Sequence, residues 1–281
     1  MITRSRRVAA SGRLRTVPLV VFALARVISV LAVVVLATLV IFDARAERFT
    51  AGRTPAQFSA RLDPSLLLDY DQTIGIAHNA GDALRPATEA VAYGVDGIEI
   101  DVRSTGSELY ASHDAPVRSL EDLVFRGPTL QRAWDIASLR PTVLLHLKER
   151  SPRYLRAVHA FLASHPLRRV IAQTGDPGTL RVLARTDPQV TRLLLILSPK
   201  DLGRLRRDRG LLRLVDGVSV RDRLLTPQVL AGFERQRLET FAWVVNDERR
   251  MNELIRAGLD GLITERLDIM RLLGSGTEVA R

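Results

Sequence analysis

The chain has 281 residues and a hydrophobic content of 46%, which suits one large domain or two small domains with a buried core. Its formal net charge is +10, but six arginines precede the first acidic residue, Asp43, so the remainder is only mildly basic. Because no DNA or RNA motif accompanies this basic tail, nucleic acid is not a predicted partner. The absence of cysteine excludes disulfide bonds, thiol nucleophiles and zinc sites built on cysteine.

An uncharged apolar segment follows the basic tail. Residues 27–42 read VISVLAVVVLATLVIF, and the apolar run extends back to Val17 with Arg26 as its one interruption. A helix that begins near Phe22 reaches the ~30 Å needed to cross the hydrocarbon core of a bilayer. The sequence therefore predicts one N-terminal transmembrane helix, which makes the membrane a predicted partner.

The charges on the two sides of this segment predict its orientation. Arginines lie upstream and Asp43 and Glu47 lie downstream, so the positive-inside rule places the N-terminus in the cytoplasm and the rest outside. We divide this part into a basic cytoplasmic tail, a signal-anchor and a linker, at residues 1–16, 17–43 and 44–70. A cleaved signal peptide is the alternative, because Ala44-Arg45-Ala46 has the small-x-small form of a cleavage site and would give a secreted protein. A buried helix of a soluble protein is the third interpretation.

Beyond Asp71 short β-branched runs alternate with helical stretches. The eight runs lie at residues 73–78, 97–103, 142–148, 169–174, 191–197, 215–220, 240–246 and 261–264. The helical stretches lie at residues 86–93, 130–138, 153–164, 179–185, 200–207, 227–237, 248–257 and 267–273. An extra strand is predicted at residues 108–112.

This alternation predicts an α/β fold. Eight βα units in about 200 residues fit a (β/α)8 TIM barrel over residues 71–274, followed by a tail at residues 275–281. A doubly wound open sheet is the alternative, but no G-x-G-x-x-G follows the first predicted strand.

Polar side chains lie at or just after the ends of several predicted strands. The set comprises His78, Glu99, Asp101, His113, His146, Lys148 and Asn246. Because strand side chains alternate, Glu99 and Asp101 share one face of their strand. Two carboxylates on the inner wall of a barrel need a cation, so the pattern favours a divalent metal site. An ion-pair network with Arg103 or Lys148 is the alternative.

Two ordered signatures resemble those of the glycerophosphodiester phosphodiesterase family. Residues 74–114 read IGIAHNAGDALRPATEAVAYGVDGIEIDVRSTGSELYASHD, which is similar to the family's strand ending in His, followed by G-A-D-x-I-E-x-D-V and H-D. Residues 243–268 read WVVNDERRMNELIRAGLDGLITERLD, which resembles W-T-V-N-D…G-V-D-G-I-I-T-D-R-P-D. The resemblance covers nearly all of residues 72–272 and implies a TIM barrel with phosphodiesterase activity.

The resemblance also implies a division of labour. In that family two histidines act as general acid and base, and carboxylates hold a Ca2+ or Mg2+ ion that neutralises the phosphodiester. These roles fall on His78 and His113 as catalytic residues and on Glu99 and Asp101 as metal ligands. Substrate contacts fall on Lys148, Asn79, Trp243 and Asn246. The chemistry is sound, because phosphoryl transfer needs charge neutralisation and protonation of the leaving alkoxide.

Three departures from the family pattern lie within these signatures. The usual H-R-G reads H-N-A at residues 78–80, so an arginine that would contact phosphate is missing, and the usual E-N-T reads P-A-T at residues 86–88. The acidic metal ligand of the third strand is His146, and imidazole suits Mn2+ or Zn2+ better than Mg2+ or Ca2+. Either the metal differs, or Glu149 substitutes as the ligand, or the metal binds weakly.

These features predict a metal-dependent phosphoric diester hydrolase of lipid metabolism. Its expected substrates are glycerophosphodiesters or lysophospholipid headgroups at the outer face of the cell membrane, and no protein partner is indicated. A catalytically degenerate barrel that binds phosphodiesters or lipid headgroups is the alternative. The His-Asn opening is also similar to the sphingomyelinase D-type phospholipases, which often release cyclic phosphates, so a cyclising enzyme is a further alternative. A structural or interaction domain is the third class, and the retained His/Glu/Asp/His set argues against it.

Overall fold

The computed structural model of the protein describes residues 73–114, 127–166 and 169–268. Its strands are β1 Ile74–Ala77, β2 Gly97–Thr105, β3 Glu108–Ala111, β4 Thr142–Leu147, β5 Arg169–Thr174, β6 Thr191–Ile196, β7 Gly217–Arg221, β8 Glu239–Trp243 and β9 Gly261–Thr264. Its α-helices are α1 Leu84–Tyr93, α2 Leu130–Ala137, α3 Pro152–Ser164, α4 Pro177–Thr186, α5 Pro199–Arg207, α6 Arg209–Leu212, α7 Pro227–Glu234 and α8 Glu248–Arg256. Two 3-10 turns, Ala80–Asp82 and Asp222–Leu224, follow β1 and β7.

The strands close into a barrel. The sheet order is β1-β9-β8-β7-β6-β5-β4-β2-β3, and β1 also pairs with β2, so eight parallel strands form a ring. The ring is joined in register between Ile76 and Gly97 and between Ile74 and Gly261. Strand β3 pairs antiparallel with β2 as a hairpin outside the ring. The predicted TIM barrel is therefore confirmed, and the doubly wound open sheet is excluded.

Four helices begin with the same two-residue signal. Serine, threonine or aspartate precedes proline at Ser151-Pro152, Asp176-Pro177, Ser198-Pro199 and Thr226-Pro227. The side chain of the first residue accepts a hydrogen bond from a backbone N–H of the first turn, and proline occupies a position that needs no donor. These caps explain why three of the four helices begin one or two residues before their predicted first residue.

Hydrophobic side chains form two shells around the strands. The inner shell fills the barrel and comprises Ile76, Leu144, Ile171, Leu193, Phe241 and Ile263. The outer shell joins strands to helices and includes Val218 and Val220 of β7 with Leu230 and Phe233 of α7. Because side chains alternate along a strand, a residue two positions from a member of the inner shell also points into the barrel.

Aspartates fasten three strands at the N-terminal end of the barrel. Asp96, Asp216 and Asp260 each precede the glycine that begins a strand, which is β2, β7 or β9. Each carboxylate accepts a hydrogen bond from the backbone N–H of the second residue in a neighbouring strand, and the N–O distances are 2.7, 2.8 and 2.7 Å. This end of the barrel is therefore built for stability.

The glycine after each aspartate allows the strands to approach closely. A Cβ at Gly217 would lie 2.3 Å from the carbonyl oxygen of Glu239, and a Cβ at Gly261 would lie 2.1 Å from the ring of Phe241. Both distances are shorter than van der Waals contact, so a side chain at either position would force the strands apart.

The predicted N-terminal segments at residues 1–16, 17–43 and 44–70 lie outside the described residues, and so does the tail at residues 275–281. Among the helices of the described ranges, none has both the length and the apolar character needed to cross a membrane.

Candidate functional site

The predicted ligands come together at the C-terminal mouth of the barrel. Leu144 belongs to the inner shell, so His146 and Lys148 also point inward from β4 and its end. On the neighbouring strand β2, Asp101 is in register with His146. One ligand atom each from Glu99, Asp101 and His146 lies within 4.8 Å of the others. The three residues predicted to bind metal therefore converge, as a TIM-barrel active site requires.

Asp101 is the most buried member of this cluster. Its side chain is fully buried, and its Oδ1 lies 2.9 Å from Nδ1 of His146 and 3.0 Å from Nζ of Lys148. Oδ1 is therefore paired with His146 and Lys148, whereas Oδ2 has no hydrogen-bond partner among the described residues. A buried carboxylate oxygen left open in this way suits a cation.

Glu99 lies two residues before Asp101 on β2, deeper in the barrel, and polar neighbours form hydrogen bonds with it. Its Oε1 accepts a hydrogen bond of 2.5 Å from Nε2 of Gln173 and lies 3.7 Å from Nδ1 of His146. Its Oε2 accepts from the backbone N–H of Asn79 at 3.4 Å. The two carboxylates and one imidazole form a mixed oxygen and nitrogen donor set that fits a divalent cation.

The two carboxylates differ in their affinity for protons. Burial raises the pKa of Asp101, but the hydrogen-bonding and charge of His146 and the charge of Lys148 outweigh it, and the pKa is lowered overall. Burial raises the pKa of Glu99, and the charge of Asp101 adds to it, so this pKa is raised despite the opposing charges of His78 and His146. Asp101 is therefore the stable anion of the pair, and Glu99 takes up a proton more readily.

Asp82 is a third carboxyl group that the sequence analysis missed. It ends the 3-10 turn after β1, and its Oδ1 accepts a hydrogen bond of 2.8 Å from the backbone N–H of Asp101. Its Oδ2 is buried and has no hydrogen-bond partner among the described residues. Burial raises the pKa of Asp82 well above its usual value, and the charge of Asp101 raises it further. Asp82 lies four residues after His78, within the first signature, and this position is the sequence signal that could have identified it.

His78 is paired with a carboxylate from the other end of the barrel sequence. Its Nδ1 lies 3.3 Å from Oε1 of Glu265, and 19% of its side chain is exposed. Burial alone lowers the pKa of His78, but the hydrogen bond to Glu265 and the charges of Glu99, Glu265 and Asp101 outweigh burial, and the pKa is raised. The sequence analysis did not identify Glu265, although it occupies the aspartate position of the closing T-D-R-P signature.

Asn246 holds this partner in place. Its Oδ1 accepts hydrogen bonds from Oγ1 of Thr264 at 2.9 Å and from the backbone N–H of Glu265 at 3.0 Å. Its Nδ2 donates to Oε2 of Glu265 at 3.0 Å. Together the three bonds hold Glu265 beside His78, and the predicted contact of Asn246 with substrate stays a prediction.

His113 does not join the cluster. It follows β3, its side chain is 62% exposed, and its Nδ1 lies 3.0 Å from Oδ1 of Asp114. Arg103 fixes the backbone at this point by donating to the carbonyl oxygens of Ser112 and His113. Among the described residues, the ring of His113 contacts neither Glu99 nor Asp101, so the predicted catalytic role of His113 stays a prediction.

The remaining predicted residues have distinct positions. Asn79 follows His78 in a left-handed conformation with φ of 51°, and its backbone N–H faces Glu99. Trp243 ends β8 and carries the guanidinium of Arg221 over its ring at 5.3 Å. Glu149, considered as a substitute ligand, instead accepts two hydrogen bonds of 2.7 Å from Ser104. Its two oxygens are engaged there, so His146 is the third member of the cluster.

Comparisons with known proteins agree with this geometry. Residues 140–269 match the family model described as the glycerophosphoryl diester phosphodiesterase family. A Mycobacterium tuberculosis protein named "Probable glycerophosphodiester phosphodiesterase 2" is 28% identical over 179 residues. That alignment covers 61% of this chain and 63% of the relative, so the chain spans less than two thirds of the relative's length.

Solved structures share the fold. A phosphodiesterase from Oleispira antarctica in complex with the product sn-glycerol-3-phosphate is 18% identical, with a TM-score of 0.60 over 72% of this chain and 96% of that one. A glycerophosphodiester phosphodiesterase from Parabacteroides distasonis is 20% identical, with a TM-score of 0.58 over 74% of this chain and 99% of that one. The family model, the relative and the residues at the barrel mouth agree, and over residues 140–269 the chain is similar to the glycerophosphoryl diester phosphodiesterase family.

Proposed function

We propose that this protein is a metal-dependent phosphoric diester hydrolase that acts on glycerophosphodiesters or lysophospholipid headgroups. The observation that carries the proposal is the convergence of Glu99, Asp101 and His146 within 4.8 Å at the mouth of the barrel. Lys148 adds a cation beside Asp101, and His78 adds a group that exchanges protons near neutral pH. These are the parts that phosphodiester cleavage needs.

Each residue then has a defined task. A divalent cation held by Glu99, Asp101 and His146 supplies positive charge for the oxygens of the phosphodiester. Lys148 adds a compact positive charge at the same edge. Nδ1 of His78 is engaged by Glu265, which leaves Nε2 to exchange a proton with the attacking water or the leaving alkoxide. His113, on the neighbouring hairpin, is proposed as the second proton carrier.

The substrate class rests on the relatives. The Mycobacterium tuberculosis relative is named for glycerophosphodiesters, and the Oleispira antarctica enzyme is described with sn-glycerol-3-phosphate as its product. A diester of glycerol phosphate is therefore the substrate class we propose for this chain, with a place in lipid metabolism.

Conservative substitutions of the two carboxylates test the metal site. Glu99→Gln and Asp101→Asn keep the shape of the side chain and remove the anionic ligand, so activity should fall by more than the roughly 10–100-fold loss typical of supporting residues. The measurement is kcat/KM on a glycerophosphodiester in metal-buffered solution. Glu89→Gln, on the exposed face of α1, is the matched control and should be unchanged. Near-wild-type turnover in Glu99→Gln or Asp101→Asn would refute a carboxylate-bound metal.

A binding barrel without turnover is the second candidate. The observation that favours it is the placement of both His146 and Lys148 within 3.0 Å of Oδ1 of Asp101, because these groups offset the buried charge without a metal. His146→Asp separates the candidates, since an added carboxylate better suits Mg2+ or Ca2+. We expect wild-type turnover with at least one of Mg2+, Ca2+, Mn2+ or Zn2+, and turnover with Mg2+ kept or raised in His146→Asp. A wild type inactive with every metal, beside an active His146→Asp, would favour the binding barrel.

A further inference from the structure

The inner wall opposite the carboxylates is formed by β7 and β8. In the ring of eight parallel strands, β7 lies four strands away from β2, and β8 lies four strands away from β4. Phe241 of β8 belongs to the inner shell and is in register with Ser219 of β7. The next inward pair toward the mouth is Arg221 and Trp243, which are also in register. These two side chains therefore face the metal-binding side of the mouth.

Arg221 carries a charge that no described carboxylate balances. Its guanidinium lies over the ring of Trp243, with 5.3 Å between the guanidinium carbon and the ring centroid. The other inward cations are engaged, because Lys148 is paired with Asp101 and Arg103 donates to two backbone carbonyls. The planar guanidinium keeps its hydrogen-bond donors available, and these match the oxygens of a phosphate or a carboxylate.

Polar atoms next to this pair also lack partners. Ser219 is fully buried, and its Oγ has no hydrogen-bond partner among the described residues. Nε1 of Trp243 is buried and lacks an acceptor within the same part of the chain. Buried polar groups are normally satisfied, so two open groups beside an unbalanced cation indicate a place where a polar ligand binds.

We propose that Arg221, with Trp243 and Ser219, forms the subsite for the alcohol group of the diester and selects alcohols that carry an anionic group. The inference rests on the proposed phosphodiesterase function and deepens it. A quaternary ammonium group binds best on an open aromatic face. Here the guanidinium lies over the face of Trp243, so a choline headgroup meets a like charge, whereas an anionic group meets a donor fork.

Three diesters of glycerol phosphate whose alcohols differ in charge test the subsite. They are glycerophosphoglycerol phosphate, glycerophosphoglycerol and glycerophosphocholine, and they are called the anionic, neutral and cationic diester after the charge of the alcohol. The wild type should give the highest kcat/KM for the anionic diester and the lowest for the cationic diester. Arg221→Gln should lower kcat/KM for the anionic diester about tenfold or more through KM, since a charge-assisted bond is lost. The same change should raise the relative rate on the cationic diester.

Two controls make the result decisive. Arg249→Gln removes an arginine whose side chain is 89% exposed on α8, and it should leave all three rates unchanged. Arg221→Lys should recover part of the anionic preference by restoring charge. An equal loss on all three diesters in Arg221→Gln, or a wild type that prefers the cationic diester, would overturn the proposal.

Failure of the proposed hydrolysis would be distinguishable from failure of the subsite. If the wild type cleaves none of the three diesters, binding is measured instead by tryptophan fluorescence. The chain has two tryptophans, so Trp134→Phe leaves Trp243 as the reporter once circular dichroism shows that the variant is folded. Saturable quenching by the anionic diester that Arg221→Gln abolishes would support the subsite, and the same response to glycerophosphocholine would overturn it.

Discussion

His78 and Glu265 are separated by 187 positions in the sequence and meet where β1 pairs with β9. Their contact exists only because the barrel closes. Asn246 donates one hydrogen bond to the carboxylate of Glu265 and accepts two others, from its backbone N–H and from Thr264. A carboxylate on one nitrogen of a catalytic histidine fixes the orientation of the ring and favours its protonated form. We therefore regard Glu265 as a positioning residue for His78.

Replacement of Glu265 by glutamine should shift the pH dependence. The pKa of His78 is raised in the folded protein, so the stabilisation it gives is complete below its unfolded pKa and is lost as pH rises through the folded pKa. Glu265→Gln removes part of that elevation, so the limb of the kcat–pH profile that reports His78 should move to lower pH. Thermal stability of this variant should also change less between mildly acidic and mildly alkaline pH than that of the wild type.

The measurement is a full pH profile of kcat together with thermal denaturation at several pH values. Glu89→Gln, which removes an exposed carboxylate paired with Arg85, is the control and should leave both profiles unchanged. An unshifted limb in Glu265→Gln would mean that this carboxylate does not act through His78.

At the residue scale, the sequence predicted those site residues whose positions follow from side-chain alternation and from the ends of strands. Glu99, Asp101 and His146 were identified because each lies late in an apolar run, and adjacent strands bring such positions together. Asp82 and Arg221 were not identified, because their importance depends on burial and on the partners they lack across the barrel. Such pairings are not encoded in the local pattern of either strand.

At the scale of elements, the apolar runs predicted the strands closely. The fifth and ninth strands have the predicted bounds of 169–174 and 261–264. Strand β8 ends at Trp243 rather than at the predicted residue 246, because the apolar residues Val244 and Val245 continue the pattern after the ladder has ended. The helix starts were predicted slightly late, since proline and its capping residue precede the amphipathic pattern.

The Asp-Gly pairs at the N-terminal end of the barrel make a prediction about stability. Gly217→Ala places a Cβ 2.3 Å from the carbonyl oxygen of Glu239 and 2.8 Å from a methyl group of Leu193. The neighbouring atom is backbone in a parallel ladder and has little room to move, so the variant should lose about 1–3 kcal/mol of unfolding free energy. Denaturant unfolding followed by circular dichroism measures this loss.

Gly175→Ala is the matched control for this change. A Cβ at Gly175 meets no atom within 4 Å, so the variant should unfold at the same denaturant concentration as the wild type or at a slightly higher one. Equal stability of Gly217→Ala and Gly175→Ala would show that the close approach of β7 and β8 is not required.

On the scale of the whole molecule, the two ends of the barrel have different tasks. The N-terminal end carries the aspartate contacts to neighbouring strands, and the C-terminal end carries Glu99, Asp101, His146 and the wall of Arg221. Separation of stability from chemistry is the general rule of this fold. It explains why βα periodicity predicted where the site lies, while the pairing of charges within the site required the folded barrel.

The placement of the barrel relative to the membrane is the remaining proposal at this scale. We propose that residues 17–43 anchor the chain and that the barrel lies outside the cell, because arginines precede the apolar segment and acidic residues follow it. The chain contains no cysteine, so a single introduced cysteine reports its own accessibility to a thiol reagent that does not cross membranes. Leu139 suits the barrel site, because it is 67% exposed at the end of α2, and Ser11 suits the basic tail.

We expect Leu139→Cys to be labelled in intact cells and Ser11→Cys to be labelled only after permeabilisation. The unaltered chain, which has no thiol, is the blank for both reactions. Labelling of Ser11→Cys but not of Leu139→Cys in intact cells would reverse the proposed topology, because the positive-inside rule would then have failed for this segment. A mature chain that begins at Glu47 and appears in the medium would instead establish cleavage after Ala46, and the apolar segment would be a signal peptide.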